Sequence, residues 1–252
     1  QEGLHCMYNH HEQACAMAAE AYARLGNKMA AVCVTTGPGA TNAVTGVLGG
    51  WMDSIPMIVF SGQARYATTV EASGLPLRSM GVQECNIVPV VKPLTKYAHM
   101  VIRPEEIRYH LEKALYLAVN GRPGPVWLDI PLDVQGAVVE TEDLSSYDPS
   151  ENPEQQPAEI SQEIIDQILD KIQNSSRPVL SPGNGVRLAG ASEEFHQLAE
   201  LLGVPVVTGM SSVDAMEYDH PLFVGRSGGT GTRPGNFALQ NSDVLLSIGN
   251  RQ

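Results

Sequence analysis

The feature that most constrains the fold is a three-part rhythm: a short apolar, β-branched run, a glycine-bearing break, then a helix-forming segment. Residues 30–36, AAVCVTT, are broken by Gly37-Pro38-Gly39, and a helix is expected from Ala43 to Met52, with Thr41-Asn42 suited to cap it. Residues 56–62, PMIVFSG, repeat the run and again end on glycine. Runs that are apolar throughout, rather than alternating, need cover on both faces, and strands separated by helices pair in parallel. The expected fold class is therefore α/β, with two parallel-sheet domains and helices on both faces.

The rest of the chain fits that plan. Glu12 to Leu25 reads as a helix, with Ala14, Ala18, Ala21 and Leu25 at helical spacing, a Glu20–Arg24 pair, and Gly26-Asn27 as its stop. Residues 63–95 read as irregular. A helix is expected from Pro104 to Asn120, ended by Gly121, then a strand from Gly124 to Pro131. The first domain is placed at 1–139. Residues 140–160, ETEDLSSYDPSENPEQQPAEI, are acidic and carry three prolines, and read as an extended surface linker. The second domain, 161–252, is expected to contain a helix at Ser161–Asn174, a strand in RPVLSPGNG, a helix at Ala191–Leu202, a strand in VPVVTG and a last strand at 243–250.

Charge and cysteines narrow the function. The 252 residues include 28 acidic and 16 basic side chains, a net charge of −12, which disfavours nucleic acid and suits small-molecule ligands. The four cysteines form no CxxC pair, so reduced thiols in a cytoplasmic protein are expected. No apolar run reaches membrane-spanning length. The first residue is Gln, so a processed product or fragment is expected.

Three glycine-bearing turns stand where α/β sheets bind ligands: TTGPGATN (35–42), SPGNG (181–185) and GRSGGTGT (225–232). None completes a phosphate fingerprint. Gly37 and Gly39 lack a third glycine at position 42, Gly183 and Gly185 are followed by Leu188, and no GxxxxGK[ST] occurs. Each turn equally suits a tight strand–helix connection. His11-Glu12 does not extend to HExxH, no GxSxG elbow exists, and no Cys/His spacing suits a metal, so no metal site is expected in this chain. Glu12 has two readings. A carboxylate in a helix's first turn is stabilised by the dipole. Walled by apolar surface, the same carboxyl would have a raised pKa and could hold or deliver a proton.

The stretches HHEQACAMAAEAYARLGNKMAAVCVTTGPGATNAVTGVLGGWMDSIPMIVFSGQ, GVQECNIVPVVKPLTKYA, RPGPVWLDIPLDVQ and ASEEFHQLAELLGVPVVTGM, in this order, resemble thiamine-diphosphate-dependent enzymes of the acetolactate synthase large-subunit type. The resemblance implies that 1–139 is the pyrimidine-binding domain, incomplete at its start, and 161–252 the central domain, incomplete at its end. It implies decarboxylation of a 2-oxo acid such as pyruvate, with the resulting carbanion joined to a second carbonyl. It assigns Glu12 to hydrogen-bond N1′ of the aminopyrimidine as the catalytic residue. Gly37, Pro38, Gly39 and Asn42 match the turn under that ring. Gln83 matches a glutamine near substrate and cofactor, and Lys96 a lysine by the substrate channel. Gly183, Gly185, Gly228 and Gly231 fall where the family's true synthases wrap FAD, whose presence here stays open. Mg2+ is implied through a C-terminal domain, and a homodimer or homotetramer with a possible regulatory subunit is the implied assembly.

Three departures bear on this. No GDG segment for diphosphate and Mg2+ occurs, the first domain's opening strand is missing, and Val82 stands where Phe is usual. The reading is therefore an internal piece of a longer enzyme, inactive alone. The alternatives are another thiamine-diphosphate carboligase or decarboxylase of different 2-oxo acid specificity, kept open by Val82 and RYATTVEASGLPLRSMG (65–81), or a non-catalytic flavin- or nucleotide-binding module.

Overall fold

The computed structural model of the chain describes residues 3, 5–153 and 159–251. It divides into two compact units, residues 1–157 and 158–252. Each is built on a four-stranded, all-parallel sheet, as the apolar runs require. In the first unit, β1 (Ala30–Val34), β2 (Met57–Gln63), β3 (Tyr97–Met100) and β4 (Pro125–Pro131) lie in the order β1-β2-β4-β3. In the second, β5 (Pro178–Pro182), β6 (Val206–Thr208), β7 (Phe223–Arg226) and β8 (Val244–Ile248) lie in the order β7-β6-β5-β8.

Burial follows position in the sheet. On the central strands β2 and β4, Met57, Val59, Val126, Trp127 and Leu128 are fully buried. The edge strand β1 alternates instead, with Ala31 and Cys33 exposed, so cover on both faces holds only for the middle of the sheet. Behind the sheet, Ala114 and Ala118 of helix Ile107–Val119 close against Ile58, Val101, Val126 and Leu128. The second unit has its own core, in which Phe195 and Ala199 of helix Ser192–Leu202 meet Leu180, Val186, Val204 and Val206.

Helices α1 (Glu12–Gly26) and α2 (Pro38–Asp53) pack against each other, and both bury small residues: Ala16, Ala19 and Ala23 on one, and Ala40, Ala43 and Gly46 on the other. Gly46 sets the approach, because a Cβ there would lie 2.6 Å from Ala16 Cβ and 2.8 Å from Met17 N. α1 ends as expected, with Asn27 in the left-handed region at φ 48° and its N–H on Ala23 O. α2 does not begin as expected. It starts at Pro38 rather than Ala43, with Gly37 as N-cap. Proline suits that first position because it has no N–H to leave unsatisfied and its φ is already helical. Asn42 therefore lies inside the helix and does not cap it.

Other elements were not legible. Edge strands β3 and β7 and helix Arg233–Asn241 were unforeseen, and residues 63–95 contain the short helices Tyr66–Thr68, Val70–Ser73, Val88–Val91 and Lys92–Leu94. Of the expected linker, residues 140–153 run back over the first unit. Tyr147, 7% exposed, packs against the rings of Tyr109 and Tyr116, and its N–H donates to Glu112. Residues 154–158 of that linker lie outside the described residues.

Candidate active site

The N-terminus of α1 and the N-terminal part of α2 bring together residues thirty positions apart. Glu12 is the first residue of α1. Asn42 Nδ2 donates to Glu12 Oε2 at 2.8 Å and also lies 3.4 Å from His11 Nε2. The other carboxylate oxygen, Oε1, lies over Gly39, where a Cβ would come within 3.4 Å of it. Hydrogen bonds from Asn42 and from its own helix-start N–H, with His11 nearby, hold the Glu12 carboxyl below the usual glutamate range, and burial is too slight to reverse this. Of the two readings of Glu12, this half-exposed side chain has the lowered rather than the raised pKa.

Two glycines of the turn are demanded by close approach. Gly37 has φ 61°, and a Cβ on it would stand 2.1 Å from the carbonyl oxygen of Gln83. At Gly39 a Cβ would meet Thr35 Cγ2 at 2.6 Å. Pro38 between them is exposed. Gln83 is itself in the left-handed region, at φ 58°, and its carbonyl oxygen lies 3.3 Å from the donating hydroxyl of Thr36. Beside this turn a cleft of about 870 Å³ opens at the carboxyl ends of β1, β2 and β4, lined by Thr36, Gln63, Arg65, Val82 and Gln135 among others. This is the edge at which parallel α/β sheets bind ligands.

The remaining candidates do not join them. Lys96 lies at the amino end of β4, where its backbone N–H bonds to Pro125 O and its ammonium donates to the Asn120 carbonyl at the end of helix Ile107–Val119. There it complements a helix C-terminus, and burial pushes its pKa down. The sheet separates that edge from the carboxyl ends of its strands, so within this unit Lys96 does not join Glu12 and the glycine turn. In the second unit, the space at Gly183 and Gly185 is filled by the chain's own backbone: Cβ atoms there would lie 2.3 and 2.8 Å from Gly249 O. Gly231 is likewise crowded by Arg226 O at 2.5 Å, while Gly228, at φ 99°, faces open space. Close packing explains three of these four glycines without a ligand. Among the described residues no group of three His, Cys, Asp or Glu side chains could hold a metal ion.

Sequence reasoning missed Thr36, Gln63 and Arg65. Only the position of Gln63, directly after Gly62 at the end of an apolar run, could have signalled them.

A parallel α/β unit with a carboxylate beside a glycine turn defines a class that comparison makes specific. Residues 1–95 match the family model described as "Thiamine pyrophosphate enzyme, N-terminal TPP binding domain", and residues 165–252 match "Thiamine pyrophosphate enzyme, central domain". The chain belongs to the thiamine pyrophosphate enzymes. Within them it is similar to large subunits of acetolactate synthase. It is 37% identical over 253 residues to the probable acetolactate synthase large subunit of Methanocaldococcus jannaschii, covering 96% of this chain and 40% of that protein. With the acetolactate synthase large subunit of Corynebacterium glutamicum it shares 38% over 246 residues (96% and 37%), and with that of Haemophilus influenzae 35% over 256 residues (99% and 42%). The chain thus spans about two fifths of the length of these relatives. Among the described residues no helix is long and apolar enough to cross a membrane.

Proposed function

We propose that the chain provides the aminopyrimidine side of the active site of an acetolactate-synthase-like carboligase acting on a 2-oxo acid such as pyruvate. The observation that carries this is the Glu12 carboxylate at the head of α1, steered by Asn42 through Oε2 and set beside the glycine turn through Oε1. That arrangement fits one edge of a flat ring bearing a proton-accepting nitrogen. When bound, thiamine diphosphate supplies the electron sink that lets a 2-oxo acid lose CO2 and its acyl carbon add to a second carbonyl.

The chain's own residues do the rest. Asn42 keeps Glu12 ionised and oriented at neutral pH. A ring set against the Glu12 carboxyl would remove water from it, which raises its proton affinity and lets Glu12 hold a proton at N1′. Gly37, Pro38 and Gly39 form the turn beside that ring, its glycines required by the close approach of Gln83 O and Thr35 Cγ2. Gln83 and the neighbouring cleft would face the substrate. Mg2+ and the diphosphate would be held outside the described residues, which contain no fitting cluster. FAD has weaker support, because only Gly228 of the four candidate glycines offers open space. Exposed Met17, Tyr22 and Leu25 on α1 support assembly into a homo-oligomer, and the relatives' designation as large subunits supports a smaller partner subunit. A cytoplasmic location is part of the same reading.

Glu12→Gln in the intact protein is expected to leave folding unchanged and to cut turnover by about 10²–10⁴-fold. Wild-type turnover in that variant would remove Glu12 from the reaction. One observation favours a different 2-oxo acid: Val82, 88% exposed, lines the cleft with a small side chain. Acetolactate formation from pyruvate by the intact protein separates the two readings.

A further inference from the structure

Beneath the candidate turn, a chain of buried polar groups runs from the middle of the sheet to Gln83. Asp129 on β4 is fully buried. Its Oδ1 accepts from Ser61 Oγ at 2.5 Å, and Ser61 in turn accepts from Trp127 Nε1 at 2.7 Å. Its Oδ2 accepts from Gln63 Nε2 at 2.9 Å. Gln63 Nε2 also donates to the Cys85 carbonyl at 2.7 Å, so both amide hydrogens are used. Gln63 Oε1 accepts from Thr36 Oγ1 and from Ala64 N, each at 2.9 Å. The Gln63 amide can therefore take only one orientation, because turning it over would lose the bonds to Asp129, Cys85 and Ala64 in a buried place.

The far ends of this chain are the parts of the candidate site under most conformational constraint. Thr36 immediately precedes Gly37, and its one hydroxyl proton is shared between Gln63 Oε1 at 2.9 Å and Gln83 O at 3.3 Å. Cys85 lies two residues after Gln83, whose carbonyl is pressed against Gly37 Cα with both residues at positive φ. The neighbouring Glu84 carboxylate turns the other way and holds Val70, Met80 and Gly81 of the preceding loop.

We propose that Asp129 is a positioning residue for the candidate site: acting through Gln63, it clamps the Gln83 turn against Gly37. Its chemistry suits this role. A carboxylate only accepts, and both Ser61 and Gln63 present donors to it. An asparagine has one oxygen, so it serves one of the two and confronts the other with N–H or leaves it short of an acceptor. The consequence for catalysis rests on the reading that Gln83 faces substrate.

The test separates the clamp from that reading. Hydrogen exchange by mass spectrometry on the chain follows the peptide covering residues 81–86 in wild type, Asp129→Asn, Gln63→Leu and the double variant. Asp129→Asn is expected to speed exchange in 81–86 by about tenfold, with little change in helix Ile107–Val119. Gln63→Leu should do at least as much, and the double variant no more than Gln63→Leu alone, since Asp129 acts through Gln63. Should a core variant fail to fold, Thr36→Val, which removes only the last hydroxyl link, should loosen the same peptide. Unchanged 81–86 exchange in a folded Asp129→Asn or Thr36→Val chain, or additive effects in the double variant, would overturn the clamp. In the intact protein, Asp129→Asn should raise KM for the 2-oxo acid by about tenfold, with kcat much less affected. Loosened exchange without a KM change would keep the clamp and detach Gln83 from the substrate. A wild-type protein that shows no thiamine diphosphate dependence would refute the functional reading and leave the exchange result standing.

Discussion

Two carboxylates of the first unit are pushed in opposite directions by their neighbours. Glu12 is held below its ordinary pKa, first by the Asn42 hydrogen bond. Asn42→Ala should move the Glu12 titration upward toward that of an unperturbed glutamate, and carbon-13 NMR of the labelled carboxyl reads this directly. An unmoved titration would show that the helix-start N–H alone sets the value. Asp129 is raised to about 6, because burial outweighs the hydrogen bonds from Ser61 and Gln63, with Glu71 adding to the rise. Its unfolded value is near 3.8. The folded state therefore binds the extra proton between these values, so Asp129's contribution is most favourable below pH 3.8 and is lost as pH climbs through 6. The full loss is about 3 kcal/mol for a shift of this size. Urea unfolding of wild type and Asp129→Asn across pH 4 to 7 should show wild type losing ground to the variant as pH rises. A constant gap would mean that Asp129 does not titrate in this window.

The Glu12–Asn42 contact is a property of two helices rather than two residues. α1 carries one partner and α2 the other, and their separation is set where Gly46 meets Ala16. Gly46→Ala should force the helices apart, cost about 1–3 kcal/mol and stretch the Glu12–Asn42 hydrogen bond. Thermal unfolding together with the Glu12 titration checks both effects: lower stability with an unchanged Glu12 would show that the helix ends move independently of their middle. None of this was visible in the chain order, because the glycine and the alanine are thirty residues apart. What could be read were elements whose pattern is set locally. The runs that became β2 and β4 are apolar because both their faces are covered, and α1 announces its end through Gly26-Asn27. Strand β3, YAHM, and strand β7, FVGR, are four-residue edge strands with little apolar signal, so they escaped notice. The start of α2 is hard to read because glycine and proline also signal a break, whereas here they are the cap and the first helical residue. Glu12 and the glycine turn were legible as candidates. The Asp129–Gln63–Thr36 chain was not, because it joins β4, β2 and the residues just after β1, and β4 pairs with β2 only by passing over β3 in the sequence.

At the scale of the whole chain, the candidate site has only one kind of chemistry on offer. It presents a carboxylate, an amide and a glycine turn for a ring, and among the described residues no cluster suited to a divalent ion. The chain's net charge of −12 works against an anionic diphosphate unless cations are supplied locally. A flat ring contacting Glu12 and the turn offers a few hydrogen bonds and modest apolar area, and that gain must exceed the cost of immobilising the whole ligand. The 252-residue chain by itself is therefore expected to bind thiamine diphosphate weakly even with Mg2+ present, whereas the intact protein binds it tightly. Calorimetric titration of both, with Mg2+ in excess, makes the comparison. Micromolar affinity for the isolated chain would show that it holds the diphosphate as well as the ring, and would place a phosphate site within residues assigned here to structure.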